Sequence, residues 1–319
     1  MAGTPSNSIN VSSPGIVGFN GTVFNSSTVI YHSLLIGGST SSSIINLGVA
    51  TNGQIPIGST GARPVLATLT QGENITITNG PGSVTVSCAT TSIVRQVFTY
   101  NAGLAASYTP TSGMVYCDVE VVGGGGGGGG SFGSPSTIWV STGGGGGGGY
   151  ARKIFSAAQI GSATIVNIGA GGSGGAAGNN DGSAGGRTSL GAGPTYLLYA
   201  TGGFGGNGST IFENCSTSLG GVGGSGFLGN FNTTGEPGGC SLLAINTDQS
   251  ASIGVSSGGG STFFGGGARA LYSGAGGNGA AGSSYGGGGG GALVNIEQGA
   301  ASGGNGAPGV CIITEYCKI

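Results

Sequence analysis

The stretch VEVVGGGGGGGGSF, residues 119–132, determines the architecture of this protein. A strand-like run leads into eight consecutive glycines, and runs of seven and six follow at 143–149 and 286–291. Because glycine loses more backbone freedom on folding than any other residue, ordering such runs requires regular hydrogen bonds. A polyproline-II-type helix has three residues per turn and no internal hydrogen bonds, so its backbone groups are directed at neighbours. We predict that the glycine runs form packed polyglycine-II helices.

A helix with three residues per turn presents one face at every third residue, and glycine recurs with this spacing in several segments. Two such registers are Gly169, Gly172, Gly175 and Gly178, and Gly220, Gly223, Gly226 and Gly229. The predicted structural core comprises Gly126, Gly146, Gly172, Gly175, Gly223, Gly226 and Gly288. Since an all-glycine run is needed only where neighbours surround a helix, residues 123–130 are predicted to be the innermost helix. The alternatives are a flexible linker and a disordered low-complexity tract.

The composition favours an ordered chain with two parts. Of its 319 residues 80 are glycine, but only 5% are charged and 37% are apolar, the reverse of a typical disordered chain. Only 15 glycines fall in residues 1–122, so composition alone changes near residue 122. With the strand pattern included, we expect a β-rich fibre or attachment region at 1–90 and a glycine-rich polyglycine-II domain with inserted loops at 91–319. The predicted class is all-β and fibrous, without significant α-helix.

Charge and hydropathy exclude several functions. A net charge of −2 with seven Lys plus Arg argues against nucleic-acid binding. No apolar stretch approaches the ~20 residues needed to cross a bilayer, and no signal peptide is visible. Six cysteines without a CxxC pair, and one histidine, argue against a zinc site. We therefore expect no metal and no cofactor. Free, mostly buried thiols are favoured, and Cys215 and Cys240 are the pair that could form a disulfide.

The strands of the first region have little apolar surface to bury within one chain. Residues 74–78 and 83–87 alternate apolar and polar side chains around a turn at 79–82, which predicts a β-hairpin. Association around a threefold axis would supply the missing contact surface, so a homotrimer is expected for this region. The alternative is a small β-sandwich formed by one chain.

In the second region, strands are predicted at 95–100, 114–122, 150–155, 162–168 and 309–316. Within 114–122, alternation places Val115, Cys117, Val119 and Val121 on one face and Asp118 and Glu120 on the other. Two carboxylates could serve acid–base chemistry, but without a neighbouring His, Lys or third carboxylate a solvated strand face is favoured. No phosphate-binding loop is present, and we do not expect an enzyme.

Insertions of different composition separate the glycine segments, and loops on a rigid scaffold commonly carry binding function. Their large apolar side chains are the candidates for receptor contact: Phe132, Ile138, Trp139, Phe212, Phe227 and Phe231. The alternative is that these side chains cap the bundle. For Trp139 the sequence favours receptor contact and capping of the bundle equally.

Several motifs resemble those of known fibre proteins. Residues 51–69 (TNGQIPIGSTGARPVLATL) and 72–80 (GENITITNG) resemble a module that recurs in viral tail-fibre and fibre-like proteins. The motifs VEVVGGG, GYARK, IGAGG and FFGGG, with residues 309–316, resemble the glycine-rich domain of phage and giant-virus fibre proteins. The resemblance implies a receptor-binding role at a fibre tip, similar to the glycine-rich adhesins of T-even-like bacteriophages. It also implies loops that contact the host from the distal end and a trimeric shaft before them.

The leading functional hypothesis is a non-enzymatic fibre-tip adhesin on a virion or other extracellular surface. Its partners would be a fibre or virion component and a host-cell receptor, either a glycan, a lipopolysaccharide or a protein. The alternatives are a structural fibre or surface-coat protein and an ice-binding protein.

Overall fold

The structure is a computed structural model that describes residues 15–19, 24–28, 32–37, 44–88, 91–99, 105–134, 139–212, 215–244, 253–272 and 276–318. The chain divides into two compact units, Met1–Thr90 and Thr91–Ile319. Both units are built from β-structure, as predicted, and the helix in the described residues is one short turn, α1 (Ala157–Ile160). No helix of the described residues is long and apolar enough to cross a membrane.

The first unit contains antiparallel hairpins. They are β1 (Gly15–Phe19) with β2 (Phe24–Thr28), β3 (Ser33–Gly37) with β4 (Ile44–Val49), β5 (Gln54–Ser59) with β6 (Ala62–Thr68), and β7 (Ile75–Gly80) with β8 (Ser83–Cys88). The predicted hairpin is β7–β8, but its turn is shorter than expected because β7 continues to Gly80. Gly82 takes the positive φ of 68° that this tight turn requires. Apolar side chains of the hairpins are exposed, Val65 by 53% and Val86 by 56%.

The second unit contains two five-stranded sheets. The first sheet has the order β20 (Phe231–Thr233), β13 (Tyr150–Ser156), β11 (Met114–Val122), β24 (Val310–Lys318) and β9 (Thr91–Thr99). The second has the order β10 (Ala106–Tyr108), β14 (Thr164–Asn167), β15 (Thr188–Leu190), β16 (Leu198–Ala200) and β19 (Gly226–Phe227). All neighbouring strands are antiparallel. The predicted strands correspond to β9, β11, β13, β14 and β24.

Side chains from both sheets form the main apolar core. It includes Val119, Val121, Ile313, Leu190 and Leu198, all fully buried. The prediction for β11 is wrong at one end, because Val115 is 42% exposed whereas Met114 is buried. A register shift between Met114 and Tyr116 against β24 inserts one extra residue, a β-bulge, which reverses the alternation at this point.

The remaining strands form smaller sheets. A four-stranded sheet has the order β17 (Thr210–Phe212), β18 (Cys215–Ser218), β21 (Ser241–Ala244) and β22 (Ile253–Val255). A two-stranded sheet pairs β12 (Val140–Ser141) with β23 (Leu293–Val294).

The backbone of residues 123–131 bonds to three neighbours in strict rotation. The N–H groups of Gly123, Gly126 and Gly129 donate to segment 143–149, those of Gly124, Gly127 and Gly130 to segment 180–186, and those of Gly125, Gly128 and Ser131 to segment 301–307. These N···O distances are 2.8–3.0 Å. The carbonyl groups accept from three further segments, 169–178, 201–208 and 286–292. A period of three with six neighbours is the polyglycine-II arrangement, so residues 123–130 form a helix enclosed on all sides.

The hydrogen bonds order the glycine segments of the described residues into four layers. The first layer contains segments 180–186, 201–208 and 219–225, and the second contains 169–178, 123–130, 143–149 and 235–239. The third layer contains 301–308, 286–291 and 258–261, and the fourth contains 279–284 and 267–270. In this arrangement the three segments with six neighbours are 123–130, 143–149 and 286–291. They are the three all-glycine runs, and all their residues are buried.

Some outer segments need glycine on more than one face per turn. In segment 201–208, a Cβ on Gly202 would lie 2.2 Å from the Gly185 oxygen, and one on Gly203 would lie 2.1 Å from the Gly146 oxygen. Only the third register points outward, and it carries the exposed Phe204. In segment 201–208, one glycine face per turn is therefore not sufficient, because neighbours lie in two of its three side-chain directions. In segment 279–284 the single glycine register, Gly279 and Gly282, is sufficient.

Candidate functional site

The lattice has two chemically different ends. At its strand end, where Gly123 and Gly149 lie, the segments continue into the two five-stranded sheets. At its far end, where Gly130 and Gly143 lie, the segments are joined by insertions and by the sheets that contain β12 and β17. The chain enters this unit at Thr91, which pairs with Lys318 at the edge of the first sheet away from the lattice. The far end is thus the part of this unit that is most remote from the entry point.

The predicted receptor-contact residues are divided between these ends. Phe132, Trp139 and the backbone of Phe212 lie at the far end, and Phe227 and Phe231 lie at the strand end. Ile138 and the side chain of Phe212 fall outside the part of the chain that the structure describes. The sequence treats the insertions as equivalent, but a single surface cannot contain all of these residues because the length of the lattice separates them.

At the far end, two of the candidates pack within the insertions and small sheets that cover the end of the lattice, which we call the cap. Phe132 is half-buried against a cluster formed by Val140, Ala292, Val294 and Ala301. Trp139 is half-buried, and its ring lies so close to Gly254 that a Cβ there would be 2.6 Å from Cε3 of the indole. Both aromatic residues therefore hold the cap against the end of the lattice.

Other apolar side chains of the far end are open to solvent. Tyr272 is 66% exposed, Val255 42% and Ile296 37%. Tyr272 is fixed by an isolated β-bridge to Val255, next to β22. Sequence reasoning missed Tyr272 and Ile296 because they lie in short insertions without a distinct composition. These three side chains contribute exposed aromatic and aliphatic contact area at the far end.

At the strand end, Phe231 belongs to an aromatic cluster around Tyr150. The ring of Phe263 stacks on Tyr150 with centroids 4.0 Å apart, and Phe231 meets Tyr150 edge-on at 6.0 Å. The phenol of Tyr150 donates a 2.7 Å hydrogen bond to Glu120. Burial and this hydrogen bond raise the pKa of Tyr150. This cluster covers the point where the lattice joins the first sheet.

Phe227 lies in a second aromatic cluster, on the outer side of the second sheet. Its ring stacks on Tyr199, its cross-strand partner, with centroids 4.8 Å apart. Tyr196 lies beside Tyr199 at 5.2 Å, and the Arg187 guanidinium lies 5.0 Å from both tyrosine rings. Sequence reasoning found Phe227 but missed the other members, which the pairing of β15, β16 and β19 brings together.

The carboxylates of β11 are engaged in structural contacts. Asp118 pairs with Arg152, and Nε of Arg152 lies 3.0 Å from both carboxylate oxygens. Glu120 accepts the bond from Tyr150. Both carboxylates are half-buried and bond to residues of strand β13, whereas the sequence predicted a solvated strand face.

The most deeply buried charge is Glu315, which is fully enclosed. It accepts hydrogen bonds from the Tyr108 hydroxyl at 2.7 Å, from the Thr111 N–H at 2.9 Å and from the Thr111 hydroxyl. Burial acts to raise the pKa of Glu315, but the hydrogen bonds from Thr111 and Tyr108 outweigh it and lower the pKa. Through its hydrogen bonds with Thr111, Glu315 connects the loop before β11 to strand β24.

The cysteines of the described residues are free thiols. Cys117, Cys311 and Cys317 are buried, whereas Cys88 and Cys240 are exposed. Burial raises the pKa of Cys117 to about 11, which keeps this thiol protonated. Because Cys240 is a free thiol, the predicted disulfide between Cys215 and Cys240 is not formed in this structure.

These features define a class of protein in which a hydrogen-bonded polyglycine-II lattice continues directly into β-sheets. The model of the family described as a glycine-rich domain matches residues 100–316, which include every segment of the lattice. The chain belongs to the glycine-rich domain family. A comparison with curated proteins gives no match.

Proposed function

We propose that this protein is a non-enzymatic adhesin whose glycine lattice presents the far end to a receptor on a host-cell surface. The receptor would be a glycan, a lipopolysaccharide or a protein. The observation that carries the proposal is the chemical difference, within the second unit, between the lattice interior and the far end. The lattice interior has no side chains and therefore offers only backbone, which is already hydrogen-bonded. Exposed aromatic and aliphatic side chains stand on the cap at the end remote from the chain entry.

Rigidity is what such a lattice contributes to binding. Every N–H group of residues 123–131 has a backbone partner in another segment. Loops on a rigid scaffold lose little entropy on binding, and Tyr side chains supply contact area at low entropic cost. The resemblance to fibre proteins agrees with this function and with a place at a fibre tip on a virion or another extracellular surface.

The exposed apolar residues of the hairpins support a second part of the proposal, a homotrimeric first unit. Val65 and Val86 are more than half exposed in one chain. Contact between three copies would bury such side chains. Measurement of the mass of the full chain in solution tests this part, and a monomeric mass would contradict it.

The experiment on the receptor compares two sets of surface variants of the full chain. Tyr272→Ala combined with Ile296→Ser alters the far end, and Val222→Ala alters an equally exposed position on the side of the lattice. Labelled protein is incubated with a panel of bacterial and eukaryotic cells, and bound protein is measured by flow cytometry. We expect the far-end double variant to lose at least 10-fold in binding, as for the loss of central aromatic contacts, and Val222→Ala to bind like wild type.

Two results would contradict the proposal that the far end binds a host-cell receptor. Binding that is equal for wild type and the far-end double variant would place the contact elsewhere. Absence of binding to every cell type would favour the alternative, a structural fibre or surface-coat protein whose far-end insertions only cap the lattice.

A further inference from the structure

The Arg187 cluster, made of Arg187, Tyr196, Tyr199 and Phe227, combines a fixed cation with partly open ring faces. The guanidinium lies over two tyrosine rings, and its Nη1 donates a 2.9 Å hydrogen bond to the Tyr196 hydroxyl. These cation–π contacts and the hydrogen bond restrain the long arginine side chain in one orientation. The remaining N–H groups of Arg187 are thereby held in place for a further acceptor.

The charge of Arg187 has no anionic partner in the part of the chain that the structure describes. The ion pair formed by those residues joins Arg152 to Asp118 on the other sheet. Arg187 is exposed, Tyr196 and Tyr199 are half-buried, and Phe227 is 39% exposed. A structural arginine is normally neutralised by a carboxylate when the chain supplies one nearby. Here the Arg187 guanidinium, with its N–H groups held in one orientation, and the adjacent aromatic rings all remain accessible.

We infer that the Arg187 cluster binds an acidic saccharide, a sugar ring that carries a carboxylate. The apolar C–H face of the sugar would lie on the open face of the Phe227 ring, whose other face stacks on Tyr199. The carboxylate would accept two parallel hydrogen bonds from the Arg187 fork, the geometry that guanidinium groups and carboxylates share. The Tyr196 hydroxyl stands beside the fork as an additional partner for a sugar hydroxyl.

The position of the cluster separates it from the proposed receptor surface. Arg187, Tyr199 and Phe227 lie in or next to β15, β16 and β19, at the strand end of the layer formed by segments 180–186, 201–208 and 219–225. Tyr272 and Ile296 lie at the far end. The inference does not rest on the adhesin proposal, and the two fail independently, since a variant of one surface leaves the other unchanged.

The test uses the full chain and small glycosides as probes. The acidic probes are methyl β-D-glucuronide, methyl α-D-galacturonide and the methyl glycoside of N-acetylneuraminic acid, and the neutral probe is methyl β-D-glucoside. Binding is measured by saturation-transfer NMR and by titration. The variants are Arg187→Gln, Arg187→Lys and Phe227→Ala, with Arg269→Gln as the control because it removes another exposed arginine. A melting curve for each variant verifies that it is folded.

We expect at least one acidic probe to bind wild type at least 10-fold more tightly than the neutral probe. Arg187→Gln should weaken this binding about 10-fold or more, and Arg187→Lys should weaken it less because the charge remains without the fork. Phe227→Ala should weaken acidic and neutral probes alike, and Arg269→Gln should change neither. Three results would overturn the inference: no acidic probe binds, the neutral probe binds equally well, or Arg187→Gln and Arg269→Gln have equal effects.

Discussion

Replacing Gly126 by alanine tests the lattice at its centre with a single methyl group. A Cβ at this position would lie 2.0 Å from the carbonyl oxygen of Phe204, whereas ordinary contacts are 3.4–4 Å. Segment 201–208 would therefore have to retreat by about 1.4 Å. The segment cannot absorb this movement in a side chain, because the atom in contact belongs to its backbone.

That displacement breaks hydrogen bonds on both sides of the moving segment. The bonds at risk join Gly146 N–H to the Phe204 oxygen, Gly203 N–H to the Gly124 oxygen and Gly206 N–H to the Gly127 oxygen, at 2.8–2.9 Å. Each buried polar group left without a partner costs about 1–3 kcal/mol, so three lost bonds cost roughly 3–9 kcal/mol. The free energy of unfolding of a whole domain is only about 5–15 kcal/mol.

Differential scanning calorimetry and near-ultraviolet circular dichroism of the full chain measure the effect. For a unit of this size about 2–4 °C of Tm is lost per kcal/mol, so Gly126→Ala should lower the Tm by roughly 10 °C or more, and the bulkier Gly126→Val should prevent folding. Ser173→Ala and Ser225→Ala are the controls, since both occupy the third register and should change stability by less than about 0.5 kcal/mol. A Tm of Gly126→Ala within about 2 °C of wild type would refute the enclosed helix and restore the linker interpretation.

Two further predictions concern Glu315 and the cysteines. Because the pKa of Glu315 is lowered in the folded state, its contribution to stability is present above the unfolded pKa of about 4.3 and is lost as pH falls through the folded pKa. Thermal unfolding between pH 2 and 7 should therefore show a smaller acid loss in Glu315→Gln than in wild type, with the variant about 1–3 kcal/mol less stable at pH 7; parallel curves would contradict this role. In thiol titration with an aromatic disulfide reagent, exposed Cys88 and Cys240 should react rapidly and buried Cys117 and Cys311 only after denaturation. An unreactive Cys240 that becomes reactive on reduction would instead indicate the bridge to Cys215.

The glycine runs and the strands that precede them could be predicted from the sequence because both depend on local chemistry. Alternating side chains in 114–122 predict β11, and runs of glycine can be ordered only where backbone groups find partners outside the segment. Even the identity of the innermost helices is encoded locally, since 123–130, 143–149 and 286–291 are the segments with no side chain on any face. The bulge at Val115 escaped prediction because it arises from the register against β24, where Tyr116 pairs with Tyr316.

The candidate sites could not be predicted in the same way. A polyglycine-II helix has no internal hydrogen bonds, so its sequence specifies that it must have neighbours but not which segments they are. Tertiary structure decided that choice, and with it the end of the lattice at which each insertion emerges. Phe227 and Phe231 therefore lie far from Phe132 and Trp139, and Arg187 meets Tyr196 and Tyr199 only because β15 and β16 pair. Local sequence encodes a backbone-bonded glycine lattice that continues from β-strands. Which side chains share a surface follows from the order of the layers, because that order depends on hydrogen bonds between distant segments.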